Sequence, residues 1–142
     1  MIYHYNRVSL KADTSDADRA AAIASWRKQG QVIEAVESFS VGLDVGGEFE
    51  YAAVFVVKDV AGYQEYMSNP THRHTDEIGL PLIDKFVSYD LIDDPDPTVA
   101  DKIREIHETR FAGDAGLVDL IQGLGSYTGA SNPKNETAAT PE

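Results

Sequence analysis

Glu50 to Val57 reads EYAAVFVV, eight residues dense in β-branched and aromatic side chains, with turn formers before it. The run is too short for a helix and suits a strand buried in a sheet. The next twenty residues narrow the choice of fold. Asp59 can cap a helix in which Tyr63, Tyr66 and Met67 share one face. Asn69-Pro70 ends that helix, because a residue before proline is driven out of the α region. His72 is then expected on a turn just past the helix end, beside the face that carries Tyr66.

The remaining segments fit around this unit. Ile2 to Leu10 alternates as a strand, with Ile2, His4, Asn6, Val8 and Leu10 on one side and Tyr3, Tyr5, Arg7 and Ser9 on the other. Neither set is polar throughout, so both sides meet something. Ser15, with Asp18 three residues on, forms a capping-box pattern for a helix through Ala22, Ile23 and Trp26. That helix is expected to end near Gln29, with Gly30 at the C′ position. Val32 to Gly42 reads as a second strand, and the turn from Leu43 to Gly47 returns the chain into the strand at Glu50. Asp76 to Leu82 holds a short helical segment broken by Gly79 and Pro81. Ile83 to Leu91 is a last strand, with Phe86, Ser88 and Asp90 facing one way and Val87 and Tyr89 the other.

Beyond it, Asp96 as cap and Pro97 at the first helical position explain the acidic run at 93–97 without a metal. Val99, Ile103 and Ile106 stripe a helix ending near Phe111, and Leu117 to Leu124 adds a short turn of helix. His107, on that helix, is expected in solvent. From Gly125 onward the composition reads as a flexible tail. The expected boundaries are a domain over 1–94, a helical extension over 95–124 and a tail over 125–142.

The order β-α-β-β-α-β is that of an α+β, ferredoxin-like domain, here with an added C-terminal helix. Two helices cover one face of such a sheet and leave the other bare. Tyr3, Tyr5, Val54, Val56, Val87 and Tyr89 fall on the bare face. A patch this apolar calls for a second copy of the chain, giving a dimeric α/β barrel.

Composition excludes several functions. A net charge of −12 argues against nucleic acid. The absence of cysteine removes disulfides, thiolate nucleophiles and sulfur-based zinc sites. The opening MIYHYNRVSL lacks the pattern of a signal peptide, and no window approaches the roughly 18 apolar residues of a membrane span. A cytoplasmic protein without membrane contact is expected. The Asn135-Glu136-Thr137 sequon matters only in a secreted chain. Gly46-Gly47 opens no helix, so turn chemistry explains it better than a phosphate cradle. His72 and His74 lack a clear third ligand, so neither metal nor cofactor is assigned.

Met1-Ile2-Tyr3-His4, Phe39-Ser40-Val41-Gly42 and Tyr66-Met67-Ser68-Asn69-Pro70-Thr71-His72 together resemble the stress-responsive A/B barrel, or Dabb, family. The resemblance covers about Met1 to Asp93. Many members carry His-Pro-Ala-His in the last corner, where this chain keeps only the proline and the final histidine. The family implies a homodimer with an eight-stranded barrel. Its members include stress-induced proteins of no settled activity, a plant polyketide cyclase and a hydroxynitrile lyase. By resemblance to the cyclase, His4, Tyr66, His72 and Asp90 are the catalytic candidates. A further cyclase histidine falls at Ala53, and Ala22, Ile23 and Trp26 lie where the cyclase has large apolar wall residues, so the cavity must differ in shape.

Strand parity puts His4, Asn6, Ala53, Phe55, Phe86, Ser88 and Asp90 on the helix-covered face, where the polar members need partners. With Ala22, Ile23 and Trp26, the residues Asn6, Ala53, Phe55, Phe86 and Ser88 are the expected substrate wall. A His72–Asp90 hydrogen bond would make His72 a base, with Tyr66 holding or protonating a carbonyl oxygen. The expected reaction is cofactor-independent proton abstraction beside a carbonyl in a small organic molecule, as in a lyase or cyclase. Three alternatives stay open. The same side chains could only brace the corner and the core, the dimer could bind a ligand without turnover, or the barrel could be a cofactor-free monooxygenase.

Overall fold

The computed structural model describes residues 1–133. Its elements are β1 (Ile2–Leu10), α1 (Asp16–Val32), β2 (Val36–Leu43), β3 (Tyr51–Val57), α2 (Val60–Ser68), α3 (Pro70–Gly79), a 3-10 turn (Leu80–Leu82), β4 (Ile83–Ile92), α4 (Thr98–Ala112), α5 (Ala115–Gln122) and β5 (Ser126–Thr128). The sheet runs β2-β3-β1-β4-β5, the ferredoxin-like order with one strand added at an edge. The first four strands pair antiparallel, and β5 joins β4 in parallel.

Register fixes which side chains meet. His4 lies opposite Phe55 on one side and Asp90 on the other, and Asn6 opposite Ala53 and Ser88. Every second residue from His4 therefore points under the helices. Ile2, Val8, Phe55 and Val57 are buried there together with Tyr63, Tyr66 and Met67 of α2. On the other face Tyr5 and Tyr89 stack with centroids 5.0 Å apart, and Tyr89 and Leu91 are about half exposed, at 47% and 55%.

Several local expectations are corrected. α1 does not stop at Gly30 but runs to Val32, because Gly30 lets the helix settle on the Phe39 ring. β2 accordingly begins at Val36 rather than Val32. Asn69-Pro70 ends α2 as expected, yet the same pair starts α3. Asn69 accepts from the Thr71 N–H, and Pro70 takes the first turn, where a missing N–H costs nothing. His72 is thus in a helix, not on a turn. α4 begins at Thr98, one residue later than expected, with the Asp96 carboxylate accepting from the Thr98 N–H.

Of the tail expected over 125–142, Ser126–Thr128 form β5 instead, and residues 134–142 lie outside the described residues. Tyr127 on β5 is buried against Phe86, with ring centroids 5.3 Å apart. The sequon at Asn135 lies outside the described residues. Arg73 of α3 donates to Asp114, the residue that caps α5. α4 packs on α2, and α5 on α3. The extension therefore closes over the helical layer. Among the described residues no helix is long and apolar enough to cross a membrane.

Candidate functional site

Between the sheet and the helices lies a cavity of about 90 Å³, space for several water molecules or a small organic group. Its chemistry follows the alternation of β1. His4 and Asn6 give one end polar walls, and Val8 and Leu10 make the other end apolar. Ala22, Ile23 and Trp26 of α1, Phe86 and Ser88 of β4, and Tyr66 and His72 also line it. Of the residues expected from sequence, Ala53, Phe55 and Asp90 do not reach its wall. Phe55 is fully buried between the rings of Phe39 and Tyr66, and Asp90 stands behind His4.

Asp90 bonds to His4, not to His72. His4 Nδ1 donates to Asp90 Oδ1 at 2.7 Å, across one rung of the β1–β4 ladder. The other carboxylate oxygen accepts from the Tyr63 hydroxyl at 3.0 Å. Burial pushes the Asp90 carboxyl up, but His4 beside it and these hydrogen bonds outweigh that and bring it below its usual range. With Asp90 ionised and accepting twice, His4 carries its proton on Nδ1. Whenever that ring is neutral, its lone pair is on Nε2, and the ring lines the cavity.

Tyr63 links this pair to α4. Its oxygen lies 2.6 Å from His107 Nε2, and since its own proton goes to Asp90, His107 is the donor. His107 is buried, contrary to the expectation of a solvated residue. Burial, with His4 nearby, pulls its pKa down to about 4, so the ring is neutral. Burial and the Asp90 charge lift the Tyr63 hydroxyl well above the usual phenol range.

His72 is held differently. Arg110 Nη2 lies 3.0 Å from His72 Nδ1, and the same guanidinium pairs with Asp76. The His72 and Tyr66 rings meet edge to face at 4.7 Å. Burial first, then Arg110, hold the His72 imidazole well below its ordinary pKa. Burial lifts the Asp76 carboxyl, with Arg110 pulling against it. The Tyr66 hydroxyl donates to Gln29 at 2.5 Å, so its proton is already committed within the protein. Among the described residues no group of three or more metal-ligating side chains converges, and the exposed His74 pairs instead with Glu77.

Sequence reasoning missed Gln29, Tyr63, Asp76, His107 and Arg110 as members of this cluster. Signals existed for two of them, and the first is Tyr63, which shares one helix face with Tyr66. His107 follows Ile103 by four residues and so widens the apolar stripe of α4 rather than leaving it.

Residues 2–93 match the family model of the stress responsive A/B barrel domain. No curated protein matches the sequence. Among solved structures, the chain is similar to a dimeric ferredoxin-like protein of unknown function from Thermobifida fusca (20% identity, TM-score 0.58, covering 63% of this chain and 88% of that one). It is also similar to a protein from Arabidopsis thaliana (21% identity, TM-score 0.59, 68% and 98% covered). A third similar structure is the hydroxynitrile lyase from Passiflora edulis (17% identity, TM-score 0.60, 67% and 94% covered). At these identities the likeness is one of fold.

Proposed function

This chain belongs to the stress responsive A/B barrel domain family, and on that premise we propose that it is a homodimer whose subunits each bind a small organic molecule between sheet and helices. The Thermobifida fusca relative is described as dimeric, and the bare sheet face here carries the stacked Tyr5 and Tyr89 with Leu91 beside them. A face of that kind gains by covering itself with its twin.

The observation that carries the chemistry is the 2.7 Å bond from His4 Nδ1 to Asp90, which turns the other ring nitrogen into a base at the polar end of the cavity. His4 would remove a proton from a carbon next to a carbonyl, with Asp90 stabilising the imidazolium that forms. No cofactor is required for that step. The enolate carbon can then add to a second carbonyl carbon of the same molecule, whose oxygen takes back the proton held by His4 as the carbon–carbon bond forms. Asn6, whose Oδ1 is buried and takes no hydrogen bond from the described residues, would orient a ligand donor. A second reading, binding without turnover, is favoured by the Tyr66 hydroxyl, whose proton goes to Gln29 instead of to a ligand.

One experiment separates the two readings. Aryl and alkyl ketones are screened by thermal shift, and those that bind are incubated with the protein in deuterated water. Deuterium appearing next to the carbonyl, and lost in His4→Ala, supports the base. Binding without exchange supports the second reading. If no ketone raises the melting point, the ligand proposal fails.

A further inference from the structure

We infer that α4, which lies beyond the family match, sets the hydrogen-bond character of the cavity: Arg110 locks His72 as a neutral donor through Nε2, opposite in sense to His4. A guanidinium has donors and no acceptor, and it keeps its charge in proteins. The atom 3.0 Å from Arg110 Nη2 must therefore be a lone pair, which places the one proton of the neutral ring on Nε2. A proton on Nδ1 would set two donors against each other in a buried site.

The rival influence is Asp76, one turn along α3, which could draw a proton to His72. Its Oδ2 stands 3.6 Å from Nδ1, outside hydrogen-bond reach, while Arg110 contacts that same oxygen directly. The Asp76 charge is spent on Arg110. The other groups facing His72 are Tyr66 of α2, His4 of β1 and His107 of α4, and none of them brings a negative charge that would hold an imidazolium. Burial acts in the same direction.

With the His4 ring neutral, the cavity presents an acceptor at His4 and a donor at His72. A ligand suited to both carries an oxygen acceptor, such as a carbonyl or its enolate, with an acidic hydrogen nearby. A ligand offering only donors, such as an ammonium group, has no place at His72. This ligand class rests on the reading of the cavity as a binding site; the tautomer of His72 does not.

The test is nitrogen NMR on the full chain labelled in its histidines, between about pH 5 and 8. The expected result is an imine-type Nδ1 and a protonated Nε2 for His72 throughout this range. Arg110→Met should let His72 take up a second proton or shift its proton to Nδ1, and Arg110→Lys should restore the wild-type pattern, since an ammonium also only donates. Asp76→Asn, which keeps the guanidinium, should leave Nε2 protonated and serves if the Met variant does not fold. A wild-type His72 that carries its proton on Nδ1, titrates within this range, or changes tautomer in Asp76→Asn overturns the inference. Because no ligand enters the measurement, its result is independent of whether any ketone binds.

Discussion

His107 Nε2 and the Tyr63 hydroxyl oxygen are 2.6 Å apart, and through Tyr63 this histidine of α4 is joined to Asp90 on the sheet. A protonated ring could make the same contact, so it is burial that keeps this one neutral, lowering the His107 pKa from 6.5 to about 4. Between those values the unfolded chain binds a proton that the folded chain refuses. Stability is therefore full above about pH 6.5 and falls as pH drops towards 4, by about 3 kcal/mol from this residue. His72, also held neutral, adds in the same direction. Urea midpoints measured from pH 7 down to about pH 4.5 should fall steadily, and His107→Gln should make the decline shallower. A flat profile in the wild type would refute the buried neutral histidines.

Gly30 lies so close under the Phe39 ring that a β-carbon there would overlap the ring atoms. Gly30→Ala gains helix propensity, yet overpacking of this kind costs about 1–3 kcal/mol and should win. Chemical denaturation is expected to show a net loss, and Phe39→Ala in the same chain should make the alanine harmless or favourable.

On the bare face, Tyr89 stacks on Tyr5 of the neighbouring strand. A charge placed there by Tyr89→Glu would be buried unpaired if two copies meet through this face. Sedimentation should find the wild type as a dimer at micromolar concentration and the variant as a monomer with an unchanged far-ultraviolet spectrum. A monomeric wild type would remove the dimer proposal.

Tyr127 makes the end of the described chain part of the core. Truncating its ring in Tyr127→Ala should cost about 3 kcal/mol or more, the range for burying and then losing a large aromatic. Loss of the ring also enlarges the cavity it lines, so ketone binding should change along with the urea midpoint.

The strands and their faces are legible in the sequence because alternation is a strict period. The parity that puts His4, Asn6, Ser88 and Asp90 under the helices is the parity observed. Register is not legible. Nothing in the sequence says that His4, rather than His72, faces Asp90, since that depends on which rung of β1 meets which rung of β4. Pro70 carries two meanings, helix end and helix start, and the second moves His72 from a turn onto α3. Gly30 looks like a stop because the ring that needs its missing side chain comes from another strand. β5 is three residues long among glycines, too short for any periodicity. Arg110 offers least of all, because a charged residue on a helix ordinarily meets water.

The chain builds its ferredoxin-like sheet from one part of its length and brings Arg110 and His107 to the cavity from another. Substitutions in α4 can reach the cavity without disturbing the strand ladder or the face where Tyr5 and Tyr89 lie. On the proposed reading of the cavity as a binding site, preference for one compound over another is open to revision by exchanging a single helix, while the scaffold that carries it stays constant.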